Sequence, residues 1–231
     1  MMIRFSKFMN AGLLMLLVCS VAQAESKRDT PLRIMCLGDS ITVGYTDNPI
    51  WKEPFQFGYR GRLYQLLKDA RYNFTFVGDS PQPWDAQSGD PSHGGRFKPE
   101  FDLRDLGQDH HQGGRGSPIT AIKGWVSNDN PDLILLMIGI NGISIHSPAR
   151  IRELVETIVT DKPDAHLIVA QITPYVNTQT EKNQLLYDYN IYIRDRLVPE
   201  LAAKGHKVST VDMYSLFLTD SNDYESPVAP G

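Results

Sequence analysis

The sequence predicts a doubly wound α/β domain, flavodoxin-like, with three layers and a five-stranded parallel sheet in the middle. Three observations predict it. Short apolar runs recur along the chain from residue 32 onward. They are short and largely apolar, and continuous rather than alternating hydrophobicity is what strands covered on both faces show. Helical patterns separate the runs, and that alternation builds parallel sheets.

The runs are LRIMCLG (32–38), FTFVG (74–78), DLILLMIG (132–139), HLIVAQI (166–172) and KVSTVDM (207–213). After the first, Leu63, Leu66, Leu67 and Ala70 share one helical face. HQGGRGSPI (111–119) leads into a helix before the third run. Ile151, Leu154, Val155, Ile158 and Val159 form an i, i+3, i+4, i+7, i+8 stripe. Ser147-Pro148 predicts the start of that helix, with serine as cap and proline at the first helical position. Tyr189, Ile193 and Leu197 continue the pattern over 181–198, with Pro199 disturbing its end and Gly205 closing it. Only one short helix, near Tyr214 to Leu218, can follow the fifth run.

A chain of 231 residues with 41% hydrophobic content and a net charge of −4 suits one domain. No basic block offers an electrostatic footprint for nucleic acid. The N-terminus differs from the rest. Arg4 and Lys7 precede the apolar stretch AGLLMLLVCSV, followed by Ala22-Gln23-Ala24. A charged start, a short apolar stretch and an A-x-A site predict a signal peptide at 1–24, cleaved after Ala24. The stretch is too short for a membrane span, which needs about 20 apolar residues. The expected mature chain, 25–231, is therefore secreted or periplasmic. It keeps only Cys36, so no internal disulfide is available, and Cys36 reads as a small buried apolar residue.

The connection at about 79–112 is the exception to the alternation. So long a stretch without periodicity is uncommon unless it carries function. Trp84, His93, Phe97 and Phe101 could line a cleft there; the plainer reading is a surface insertion pinned by its aromatics. Asn73-Phe74-Thr75 is a glycosylation sequon.

Ligands of open parallel sheets sit at the carboxyl ends of the strands. Ser40 follows the first strand, Gly116 precedes the helix leading to the third, and Asn141 follows the third in GING. A serine there presents a hydroxyl and a free N–H, Gly116 an N–H with no Cβ in the way, and Asn141 an amide. Converging donors beside a hydroxyl make a nucleophile with an oxyanion hole, the apparatus of acyl transfer. This chemistry calls for no cofactor or metal; His110 and His111 with Asp109 read as a solvated loop cluster.

These residues resemble the SGNH, or GDSL-like, hydrolases. Gly38-Asp39-Ser40-Ile41-Thr42 with Gly44 matches the first block of that family, Gly116 in HQGGRGSPI the second, and PDLILLMIGING the third. The second block looks most like the secreted carbohydrate esterases. The resemblance spans about residues 32 to 218. It implies Ser40 as nucleophile, with its own N–H, the Gly116 N–H and the Asn141 side chain as oxyanion donors. The aspartate usual after the asparagine is Gly142 here, which removes hydrogen bonds expected to hold that loop.

The fourth block of the family, Asp-x-x-His, supplies a base and its orienting acid. Here VDMYSLFLTDSNDYESPVAPG ends the sequence with no histidine after His206. Asp90-Pro91-Ser92-His93 has the spacing but lies in the insertion, and reads as coincidence. The expectation is a C-terminally incomplete domain whose Asp-His pair and final helix lie beyond Gly231. The reading is a secreted serine esterase acting on short acyl, chiefly acetyl, esters of carbohydrate. The alternatives are a lipid or aryl esterase or thioesterase of the same fold, or a non-catalytic carbohydrate-binding module on that scaffold. The expected partner is a small-molecule or polysaccharide ester. The sequence leaves the oligomeric state open.

Overall fold

A computed structural model describes residues 30–43, 59–78, 104–105, 118–175 and 178–229. Leu32–Gly231 is one compact unit. Its elements run β1 (Leu32–Gly38), α1 (Ser40–Val43), α2 (Tyr59–Asp69), β2 (Phe74–Val77), β3 (Arg104–Asp105), α3 (Pro118–Asp129), β4 (Leu133–Met137), α4 (Ser147–Asp161), β5 (His166–Ala170), α5 (Thr180–Tyr192), α6 (Val198–Ala203) and β6 (Val208–Val211). The main strands follow the order β2-β1-β4-β5-β6, all parallel, which is the expected five-stranded sheet.

β3 is an addition, because two residues inside the long connection carry no readable periodicity. β2 pairs with the first half of β1, up to Met35↔Val77, and β3 takes over at Leu37↔Arg104 and Gly38↔Asp105. The connection therefore returns to the carboxyl end of β1. Trp84, His93, Phe97 and Phe101 lie outside the described residues, as do residues 1–24. No described helix is long and apolar enough to cross a membrane.

Period-2 alternation divides β1 between the two faces of the sheet. Ile34 and Cys36 pack with Phe76 beneath Leu63 and Leu67 of α2. Met35 and Leu37 join Ile134, Leu136, Leu167 and Val169 under α3, α4 and α5. Each fully buried aliphatic side chain in these layers is worth about 1.5–3 kcal/mol relative to exposure. α2 covers only part of its face. Over β4, β5 and β6 that face carries an apolar groove of about 360 Å³, bordered by Leu63, Leu135, Ile168, Val211 and Met213.

The stripe expected on α4 is buried at all five positions. Its start differs from expectation. His146 is the cap residue and Ser147 lies in the first turn, where its buried hydroxyl accepts the Ser144 N–H at 3.0 Å. The serine thus closes the preceding loop instead of capping the helix. Pro199 disturbs its helix as expected, and the helical course runs on to Ala203, just before Gly205. A π-helical turn, Ile193–Leu197, joins α5 to α6, with the Val198 N–H reaching the Ile193 carbonyl. The wider turn accommodates a ring that would otherwise press on the carbonyl four residues back. The short helix expected near Tyr214 is a 3₁₀ turn, Ser215–Phe217.

Candidate active site

Register sets the site. Gly38 pairs with Met137, so β1 and β4 leave the sheet side by side at the same edge. A Cβ on Gly38 would collide with the Thr42 hydroxyl and the Met137 carbonyl, so only glycine lets β1 turn into α1 there. The buried Asp39 accepts the Ile41 N–H on its Oδ1 at 3.0 Å, an Asx-type turn that starts α1 at Ser40. The fully buried Arg60 fastens this turn from the α2 side, its Nε–H donating to the Thr42 carbonyl at 3.0 Å.

The loop after β4 carries Asn141. Gly139 and Gly142, at φ 134° and 62°, flank it with backbone angles that side chains rarely adopt. A Cβ at 139 would also stand 2.8 Å from the Tyr189 ring. Tyr189 donates its hydroxyl to the Ile138 carbonyl at 2.8 Å, and Tyr175 donates to the Ile140 carbonyl. These two hydroxyls hold the loop in place of the hydrogen bonds expected to be lost with glycine at 142. Burial, followed by the negative charge of Asp39, raises the pKa of both phenols, so both remain neutral donors.

The Asn141 Nδ2 is buried and has no hydrogen-bond partner among the described residues. An orphaned buried donor costs about 1–3 kcal/mol. A fixed, unpaired donor is also what an oxyanion site requires, because its partner arrives with the reaction. The structure thus brings Ser40 and Asn141 to one edge of the sheet. Gly116, the third expected donor, lies outside the described residues.

α5 secures the segment that supplies Tyr175. Asn190 accepts the Ile172 N–H at 2.7 Å and donates to its carbonyl at 2.8 Å. Two turns earlier, Asn183 does the same to Tyr175, at 2.8 and 3.2 Å. The sequence reading gave no role to Tyr175, Asn183 or Asn190, and took Tyr189 only as part of a helix stripe. No local motif marks them, because their partners are backbone atoms outside their own helix or segment, 8 to 51 residues away.

The described histidines do not complete the site. His166 opens β5 level with Leu133, which pairs with Ile34. At about 3.3 Å per residue, that places it about 20 Å along the sheet from Ser40. Its Nε2 lies 2.8 Å from the Ser209 hydroxyl. His206 precedes β6 at the same far edge, and the exposed His146 caps α4 through its backbone. His93 lies outside the described residues.

A family model for GDSL-like lipases and acylhydrolases matches residues 36–231. Among solved structures, the family 3 carbohydrate esterase of Clostridium thermocellum is 25% identical over 79% of this chain and 78% of that one, with a TM-score of 0.55. A family 3 carbohydrate esterase from Talaromyces cellulolyticus shares the fold at 20% identity, covering 87% of this chain and 88% of that one, with a TM-score of 0.55. An acetyl esterase solved as a mutant with acetate ion does so at the same identity and coverage, with a TM-score of 0.54. No protein of curated function matches the sequence. With a serine turn and an asparagine loop side by side at the carboxyl edge of a parallel sheet, the chain belongs to the GDSL-like lipase/acylhydrolase family and is an ester hydrolase of the SGNH type.

Proposed function

We propose that this chain hydrolyses short acyl esters, acetyl first among them, on carbohydrate outside the cytoplasm. The observation that carries the reading is the buried Asn141 Nδ2, without a partner among the described residues, at the same sheet edge as the Ser40 turn. In this mechanism the Ser40 hydroxyl oxygen attacks the ester carbonyl and its proton passes to a base. The tetrahedral oxyanion takes hydrogen bonds from the Ser40 N–H, the Gly116 N–H and Asn141. Expulsion of the sugar alcohol leaves an acyl-serine, which water then hydrolyses. The carbohydrate half of the reading draws support from the Clostridium thermocellum relative, which is a carbohydrate esterase. Export draws on the signal-peptide pattern at 1–24, and mass spectrometry of exported protein should find Glu25 at the N-terminus.

The test is covalent labelling combined with acyl-chain profiling. On the full natural chain a fluorophosphonate probe should label Ser40, Ser40→Ala should abolish the label, and acetate release from an acetylated polysaccharide should exceed release of octanoate from an aryl ester. Label on another serine would overturn the assignment. Preference for the long chain would move the substrate to lipids, and glycan binding without any ester cleavage would make the chain a binding module.

A further inference from the structure

Beside the catalytic edge, α5 and the segment after the 3₁₀ turn enclose a cleft of about 730 Å³, lined in part by Thr178, Asn183, Tyr187, Tyr214, Tyr224 and Glu225. That volume lies within the range of small-molecule sites. Two contacts tie the cleft to the active site. The Tyr224 hydroxyl donates to Gln171 Oε1 at 2.6 Å, just past the carboxyl end of β5. Asn183, in its wall, holds Tyr175, which in turn holds the carbonyl adjacent to Asn141.

We infer that this cleft is a subsite for a neutral sugar ring of the glycan that carries the ester. The inference rests on the carbohydrate half of the reading above and names where the glycan would lie. Three tyrosine rings cluster here, Tyr214 and Tyr187 at 5.0 and 5.6 Å from Tyr224. Hydroxyl, amide and carboxylate groups surround them. A pyranose has the matching character, with apolar C–H faces for the rings and peripheral hydroxyls for the polar groups. Other ligand classes match less well. Among the described lining residues Glu225 is the one that is charged, and it would repel a phosphate or carboxylate. Arg194 sits over the Tyr224 ring, 4.7 Å from its centroid, but its guanidinium is engaged by Asp195 at 2.7 Å. An alkyl chain would bury the Thr178 and Thr180 hydroxyls in the lining without offering them partners.

Calorimetric titration of the intact chain with unacetylated xylo- and cello-oligosaccharides tests this. Saturable binding is expected, and Tyr187→Ala should raise Kd by at least about tenfold. Gln184→Ala, at an exposed position of the lining, should also weaken binding while leaving thermal unfolding unchanged, which keeps the test readable if Tyr187→Ala fails to fold. Tyr72→Ala, on the exposed turn before β2, should bind as the parent does. Absence of binding to both oligosaccharides overturns the subsite, and so does binding indifferent to both Tyr187→Ala and Gln184→Ala. These probes carry no ester. A chain that binds them through Tyr187 yet cleaves no ester would refute the esterase reading and leave the subsite in place.

Discussion

Tyr175 donates its hydroxyl to the Ile140 carbonyl, one residue before Asn141, whose buried Nδ2 has no partner among the described residues. Asn183 fixes the Tyr175 backbone on both its N–H and its C=O. The donor assigned to the oxyanion is therefore positioned by a chain of hydrogen bonds that starts on α5. Tyr175→Phe removes one link and leaves the ring. Since misplacing a catalytic group by about 1 Å can cost about 10²-fold, kcat should fall by about 10- to 100-fold with KM little changed. Tyr175 is a positioning residue, so its phenylalanine variant should keep the pH profile of the parent. A shifted profile would show that the hydroxyl itself exchanges protons with substrate.

Asn141→Ala removes the donor rather than its support. Loss of one oxyanion donor costs about 10²–10³ in kcat. A buried Nδ2 with no partner among the described residues also costs the folded chain stability. The variant should therefore be slower and no less stable than the parent. Steady-state kinetics and a urea melt on the same preparation check both halves. A variant that turns over normally but binds substrate weakly would reassign Asn141 to ground-state binding.

Gly139 is constrained twice, by a φ of 134° and by the Tyr189 ring. Gly139→Ala should destabilise by about 1–3 kcal/mol from backbone strain alone, with the ring contact adding to it. Pairing it with Tyr189→Ala separates the two causes. Relief of the ring clash should make the double variant less destabilised than the sum of the singles. Strict additivity would assign the whole cost to the backbone.

The contrast between strands and site shows what the sequence carried. β1 was legible to the residue, because a seven-residue segment apolar at every position but Arg33 and ending in glycine has one economical conformation. That Ser40 and Asn141 share one edge was legible because a parallel sheet brings the carboxyl ends of its strands together. Tyr175 and Asn183 were not, since a side chain bonding to a distant carbonyl leaves no periodic trace. Ser147 misled for a related reason. A serine before proline has the form of a cap, yet the loop at Ser144 competes for the same hydroxyl. The disturbance at Pro199 was legible but its form was not, because a π-helical turn has no pattern of its own in sequence.

Cys36 leads to the last prediction. Its buried thiol is pushed by desolvation from 9.0 up to about 12, against the opposing pull of the Arg60 charge. Below pH 9 folded and unfolded chains both hold the proton. Between about 9 and 12 the unfolded chain releases it and the folded chain does not, so stability falls as pH rises. One such group contributes a slope of up to about 1.4 kcal/mol per pH unit. Tyr59 and Tyr189, raised by burial above their ordinary value of 10.0, add the same sign at higher pH. Urea midpoints for the parent should therefore begin to decline near pH 9. In Cys36→Ala the decline should start about one unit later, when the tyrosines take over. The native thiol should also resist aromatic disulfide reagents at pH 8 and react on unfolding. Parallel pH profiles for parent and variant, or rapid modification of the folded chain, would mean that the thiol ionises without leaving the native state.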